Sequence, residues 1–135
     1  MSLKISPKTI NEQYRRKIRE ISGQSFQQCF QCGTCSGSCP MNENMELVPR
    51  QVMILLQFGQ AEALDRANTP WVCASCHSCM VRCPRGIDIT KVMEAIRLVK
   101  LRQNTDHLKL SQLEPELVDS LPQVAMVSGF RKLTS

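Results

Sequence analysis

At 135 residues and 42 % apolar content, with only 4 % aromatic residues, the chain has room for one domain with extended ends and a modest core. Its longest aliphatic run, VMILL at 52–56, is far too short to cross a bilayer, and its polar start lacks the apolar stretch of a signal peptide, so a reducing cytoplasmic setting is expected. The formal charge of +5 counts eight cysteines as neutral, so it stops arguing for a nucleic-acid partner once those thiols ionise on a metal centre.

Ile10, Tyr14, Ile18 and Ile21 fall at helical intervals across residues 9–21, with Arg15, Arg16, Lys17 and Arg19 mostly on other faces and Gly23 placed to end the helix. This reads as a packing helix with a solvated basic side. Residues 29–40 follow as CFQCGTCSGSCP. Beyond them Met45, Val48, Val52, Leu55 and Leu56 mark a second helix, stopped near Gly59, with Pro49 tolerable in its first turn. A short helix around Ala61–Ala67 is expected next. Thr69-Pro70 breaks it before Trp71, which reads as packing in the core or over a metal centre. Residues 73–84, CASCHSCMVRCP, then repeat the spacing of the first block. Asp88 is placed to cap the clearest helix, with Ile87 and Val92 positioned as a hydrophobic staple and Ile89, Val92, Met93, Ile96 and Val99 as the apolar stripe. The methionines here read as core filling. From about Gln103, two prolines and a glycine interrupt a segment too apolar for a solvated tail, which reads as an arm that gains order on a partner. Strand signals are weak throughout. The expected fold is mainly α, with an N-terminal helical arm (1–24), a central domain (25–102) and a C-terminal partner-binding arm (103–135).

Both cysteine blocks read Cys-x-x-Cys-x-x-Cys-x-x-x-Cys-Pro, and together they hold all eight cysteines, each in the second block 44 positions after its counterpart. In a reducing compartment such clustering reads as metal binding before disulfides. Three thiols with two residues between neighbours let one tight loop offer three sulfurs to a four-iron cubane. Gly33, Thr34, Ser36, Gly37 and Ser38 keep the first loop small, so backbone N–H groups can approach those sulfurs. The cysteine before proline sits where a departing helix begins, since proline has no N–H to lose in a first turn.

This is the run of bacterial two-cluster ferredoxins, in which the last cysteine serves the other cluster. Applied here, one [4Fe–4S] cluster takes Cys29, Cys32, Cys35 and Cys83, and the other takes Cys73, Cys76, Cys79 and Cys39. An uncrossed arrangement, each run serving its own cluster, stays open. With eight thiolates on two cores of about +2 each, the net charge falls to roughly +1. Structural zinc more often uses separated Cys-x-x-Cys pairs. Cys73-Ala-Ser-Cys76-His77 matches a c-type haem attachment motif, but the first block has Gly33 in place of the histidine, and Cys79 and Cys83 would be left unused. His77 therefore reads as a loop residue beside a cluster. No Gly-rich phosphate loop and no spare carboxylate or Cys/His constellation remains for catalysis, so this chain is expected to be non-catalytic, a carrier of electrons.

The 33 residues between Cys39 and Cys73 read as helix where small ferredoxins have a shorter connection, so the architecture resembles an α-helical ferredoxin. EISGQSFQQCFQCGTCSGSCP, WVCASCHSCMVRCPRGIDITKVMEAIR and the ending LPQVAMVSGFRKLTS resemble the C subunit of heterodisulfide reductase, from about Ile18 to the C-terminus. That resemblance implies two [4Fe–4S] clusters in one component of an oxidoreductase complex. It further implies a relay of single electrons between a flavin-bearing A subunit and a Cys-rich B subunit that holds the disulfide-cleaving centre, with no nucleic acid and no transmembrane segment. MNENMELVP at 41–49 departs from the small, arginine-rich stretch of methanogen members and leaves the substrate of the complex open; related complexes of sulfur oxidisers and sulfate reducers use the same relay. The alternatives are a freestanding dicluster ferredoxin, or the iron–sulfur relay of a glycerol-3-phosphate, glycolate or succinate oxidoreductase.

Overall fold

A computed structural model describes residues 10–102 and 107–133. The first nine residues of the expected N-terminal arm, and residues 103–106 and 134–135 of the expected C-terminal arm, lie outside the described residues. Among the described residues the regular structure is entirely helical, as the sequence leads one to expect. The chain divides into two compact units, one ending at Lys100 and the other beginning at Leu101. None of the described helices is long and apolar enough to cross a membrane.

Helix α1 spans Glu12–Ser22. The Asn11 side chain caps it by accepting from the Tyr14 N–H at 2.9 Å, and Gly23 closes it in the left-handed region with φ 64°. Tyr14 and Ile18 enter the core, whereas Ile10 and Ile21 stay exposed and Ser22 is buried in their stead. The expected stripe is therefore right at its centre and wrong at its ends: Ile10 precedes the helix, and Ile21 lines a solvent-filled groove with Lys91, Glu94 and Leu98. Tyr14 Oη donates to Asp65 Oδ1 at 3.2 Å.

The short helix α2, Thr34–Gly37, lies inside the first cysteine block. Helix α3, Pro49–Gln57, starts later than the apolar pattern implies. Met45 is buried just ahead of it, Val48 is its cap residue, and Pro49 sits in the first turn as anticipated. The Val48 N–H finds its acceptor in Gln51 Oε1 at 3.0 Å. Val52, Met53, Leu55 and Leu56 are all buried, the centre of the core. Gly59 ends this segment at φ 67°, and its carbonyl accepts from Asn11 N–H at 2.9 Å, which ties the end of α3 to the start of α1. A Cβ at Gly59 would stand 3.2 Å from the Asn11 nitrogen, so both conformation and proximity require glycine.

Helix α4, Ala61–Arg66, buries Leu64 and ends one residue short of the expected boundary. Thr69 and Pro70 do break the chain, but they also begin the next turn, α5 at Thr69–Val72, and they take its buried side. Trp71 is consequently pushed outward, 45 % exposed, with Lys100 Nζ 5.9 Å from its ring centroid. The expectation that Trp71 packs in the core or shields a centre is corrected. The fully buried Thr69 hydroxyl donates to the Leu47 carbonyl (2.8 Å) and accepts from the Leu47 N–H (2.9 Å). Asn68 accepts from the Glu46 N–H at 2.9 Å and its own N–H donates to Glu46 Oε2 at 2.8 Å. These four bonds clamp the approach to α3 against the approach to the second cysteine block.

Helix α6, Ser78–Val81, lies within that second block and packs on α2. Helix α7, Ile89–Leu101, is capped by Asp88 Oδ1, which accepts from the Lys91 N–H at 3.2 Å. Ile89, Val92, Met93 and Ile96 are buried together with Ile87, and Val99 is half-buried, so the expected stripe holds. In the second unit, α8 (Pro115–Ser120) and α9 (Gln123–Leu133) follow one another, and the His107 N–H donates to the Leu133 carbonyl at 2.8 Å, tying His107 to the end of α9. Leu117, Leu121, Val124, Val127 and Leu133 are exposed on it.

Candidate metal centres

The two cysteine blocks adopt one backbone course. Gln31 and Gly33 flank Cys32 with φ 61° and 83°, and the equivalent Ser75 and His77 flank Cys76 with φ 53° and 58°. Left-handed conformation is unfavourable for side-chain-bearing residues and gathers at ligand-holding loops. Here it coils each loop tightly enough to aim its thiols to one side. Each loop then enters a single helical turn, α2 or α6, that starts immediately after the second left-handed residue.

The thiols collect in two sets of four. One cavity is lined by Cys29, Cys32, Cys35 and Cys83, with Met53, Ile87 and Arg50 among its walls. The other is lined by Cys73, Cys76, Cys79 and Cys39, with Met41, Met45 and Met93. In each set the thiol before proline comes from the opposite block, and Ile89 borders both cavities. Met93 is buried as expected, Met45 and Met53 are buried as well, and all three form cavity walls.

The donor chemistry suits an iron–sulfur cubane. All eight cysteines are free thiols. Among the described residues no three His, Cys, Asp or Glu draw together as a single metal ion would need. Four sulfurs line each cavity within largely apolar walls, a donor set that suits a multi-iron group.

The sulfur environments also repeat. Cys32 Sγ lies 3.4 Å from Thr34 Oγ1, and Cys76 Sγ lies 3.5 Å from Ser78 Oγ, a hydroxyl two residues on in both blocks. These hydroxyls hold both thiols below their ordinary pKa, and both thiols are exposed. Burial pushes the third thiol of each block, Cys35 and Cys79, upward. Ser36 lowers Cys35 in part and Thr90, 3.8 Å from Cys79, does the same there. Cys35 also feels Cys29 and Cys79, the latter carried on helix α6, which packs against α2.

Other residues hold the blocks in place, and sequence reading did not single out Gln57, Arg50 or Arg97 among them. Gln57 Nε2 donates to the Cys29 carbonyl at 2.7 Å and the Phe26 carbonyl at 3.1 Å, anchoring the entrance to the first block. The Arg50 N–H donates to Ser36 Oγ at 2.9 Å. Arg97 reaches Ser75 Oγ at 3.3 Å. His77 lines neither cavity: its Nδ1 sits 3.7 Å from Asp88 Oδ2, so it braces the second loop against the start of α7.

A helical body that presents two such four-thiol cavities defines a dicluster iron–sulfur protein of the α-helical ferredoxin type. The 4Fe-4S dicluster domain family matches residues 28–88. The C subunit of the H(2):CoB-CoM heterodisulfide,ferredoxin reductase of Methanothermobacter marburgensis is 36 % identical over 88 residues, which cover 65 % of this chain and 48 % of that protein. The iron-sulfur C subunit of the CoB--CoM heterodisulfide reductase of Methanopyrus kandleri is 40 % identical over 73 residues, 54 % of this chain and 38 % of the relative. The C subunit of the Ferredoxin:CoB-CoM heterodisulfide reductase of Methanosarcina mazei is 31 % identical over 109 residues, 78 % of this chain and 67 % of its own length. The chain belongs to the family of heterodisulfide reductase C subunits and binds two [4Fe–4S] clusters. It spans about half the length of the Methanothermobacter relative.

Proposed function

We propose that this chain is the electron-relay component of a heterodisulfide reductase-like complex, with no catalytic site of its own. Cys29, Cys32, Cys35 and Cys83 hold one cluster, and Cys73, Cys76, Cys79 and Cys39 hold the other. When bound, each cubane accepts and releases one electron at a time. The protein's part is to fix their separation, keep water from the inner sulfurs, and expose Cys32 and Cys76 toward partners. The observation that carries this reading is the crossed grouping of thiols around two cavities that share Ile89 as a wall. Crossed ligation makes neither loop able to complete its centre without the other. A flavin-bearing A subunit and a Cys-rich B subunit are the partners, and the exposed apolar residues of α8 and α9 dock the chain onto the complex.

Anaerobically purified full-length protein should carry about eight irons and eight sulfides, as two cubanes require. Cys39→Ser should then disturb the paramagnetic signal of the centre built on the second block, and Cys83→Ser that of the first. Damage that stays with the mutated block would mean uncrossed ligation. Val124→Glu should leave iron content intact and prevent co-purification with a flavoprotein and a Cys-rich protein; undiminished co-purification would remove α9 from the docking surface.

A further inference from the structure

The repeat makes the two centres near copies, so any difference between them has to come from side chains outside it. The hydroxyl contacts cancel: Thr34 and Ser78 serve the second thiols, while Ser36 and Thr90 serve the third. The walls do not cancel. Apart from its thiols, the second cavity is walled by proline, methionine, alanine, isoleucine and threonine, with no cation. Arg50 lines the first cavity, and its Cδ stands 3.5 Å from where a Cβ would sit on Gly33, beside Cys32. No carboxylate pairs with Arg50 among the described residues. Arg97, the cation bound to the second loop, is engaged by Ser75 Oγ and does not line the cavity.

We infer that Arg50 makes the first centre the easier of the two to reduce, so that an electron entering this chain settles there. The inference rests on the cluster assignment proposed above. Reduction adds one electron and no proton, the electron coming from a low-potential one-electron donor, and it makes a four-thiolate centre more negative by one charge. A guanidinium at the wall stabilises that extra charge, whereas methionine and proline walls offer none. The cation has a charge role separable from its structural one, because the contact to Ser36 is made by the backbone N–H of Arg50 and survives any side-chain change.

Redox titration of the full-length, cluster-loaded protein, followed by electron paramagnetic resonance, tests this, with the first-centre signal identified as the one that Cys32→Ser perturbs. Arg50→Gln should disfavour reduction of the first centre by about tenfold, 59 mV for a one-electron couple, and leave the second centre where it was. Arg50→Lys should restore most of the shift, and because Arg50 is exposed, the wild-type difference should shrink as salt is raised. Two intact signals that ignore Arg50→Gln, or that move together, would overturn this inference alone. Absence of any [4Fe–4S] signal from the wild-type protein would overturn the cluster assignment and this inference with it.

Discussion

Replacing Gln57 with leucine should loosen the first centre without touching a thiol. Leucine matches glutamine closely in size, so no cavity opens. What disappears is the amide that donates to the carbonyls of Cys29 (2.7 Å) and Phe26 (3.1 Å). A hydrogen bond of this kind is worth about 0.5–1.5 kcal/mol net, and an orphaned buried carbonyl costs more than the mean. Phe26 is wholly buried, so its carbonyl is poorly placed to find water instead. The two losses together come to about 2 kcal/mol, which for a unit of about this size lowers the melting temperature by about 8–16 °C. Since cluster loss is irreversible, the measurement is thermal bleaching of the visible iron–sulfur absorption at a fixed scan rate, under argon, beside far-ultraviolet circular dichroism. Gln13→Leu, on the exposed side of α1, serves as the control for adding an apolar surface group. Bleaching of Gln57→Leu at the wild-type temperature would refute the claim that this amide holds the entrance of the first block.

Gly59→Ala should destabilise the chain by about 2–3 kcal/mol in denaturant titration, through the left-handed backbone and the approach to Asn11. Gly37→Ala, with open space around it, should be close to neutral, and equal costs at both sites would show that crowding at Gly59 is irrelevant. Burial, with Asp65 alongside, holds the Tyr14 hydroxyl far above its ordinary value. The folded chain therefore keeps that proton where the unfolded chain loses it. The stabilisation is complete below about pH 10 and declines above it by about 1.4 kcal/mol per pH unit. Wild type should thus lose ground to Tyr14→Phe between about pH 9 and about pH 11, and a gap independent of pH would mean that Tyr14 titrates normally.

The sequence announced the repeat, the caps and the core stripes because each depends on neighbours a few residues away. Pro49 and Asp88 stand where helix starts need them, and Gly23 where a helix must stop. The crossed ligation is a proposal that begins in the sequence, where Cys-Pro directs the fourth thiol away from its own loop. Other features were decided by tertiary contacts. Gln31, Ser75 and His77 take left-handed conformations that only Gly33, among the four equivalent positions, signals by residue type. Trp71 looked like core on hydrophobicity alone, yet Thr69 and Pro70 occupy the inner side of its single turn. Arg50 carries no local signal at all, because its place over the first loop follows only from how the start of α3 folds back.

In each run the second thiol is the exposed one, which suits the proposed relay. The second thiols, Cys32 and Cys76, are exposed, while Cys35 is buried and Cys79 half-buried, with Cys79 close enough to Cys35 to influence it. Helices α2 and α6 carry these third thiols and pack on each other, and Ile89 borders both cavities. Each run thus has one outward sulfur, at its second thiol, and a more buried one on a helix that packs against the other run. A symmetric pair built this way would pass an electron in either direction with equal ease. Direction has to come from groups that break the symmetry at a cavity wall or on the partners. Within this chain Arg50 is placed to do so, and a variant that equalises the two walls should also equalise the populations of the two reduced centres.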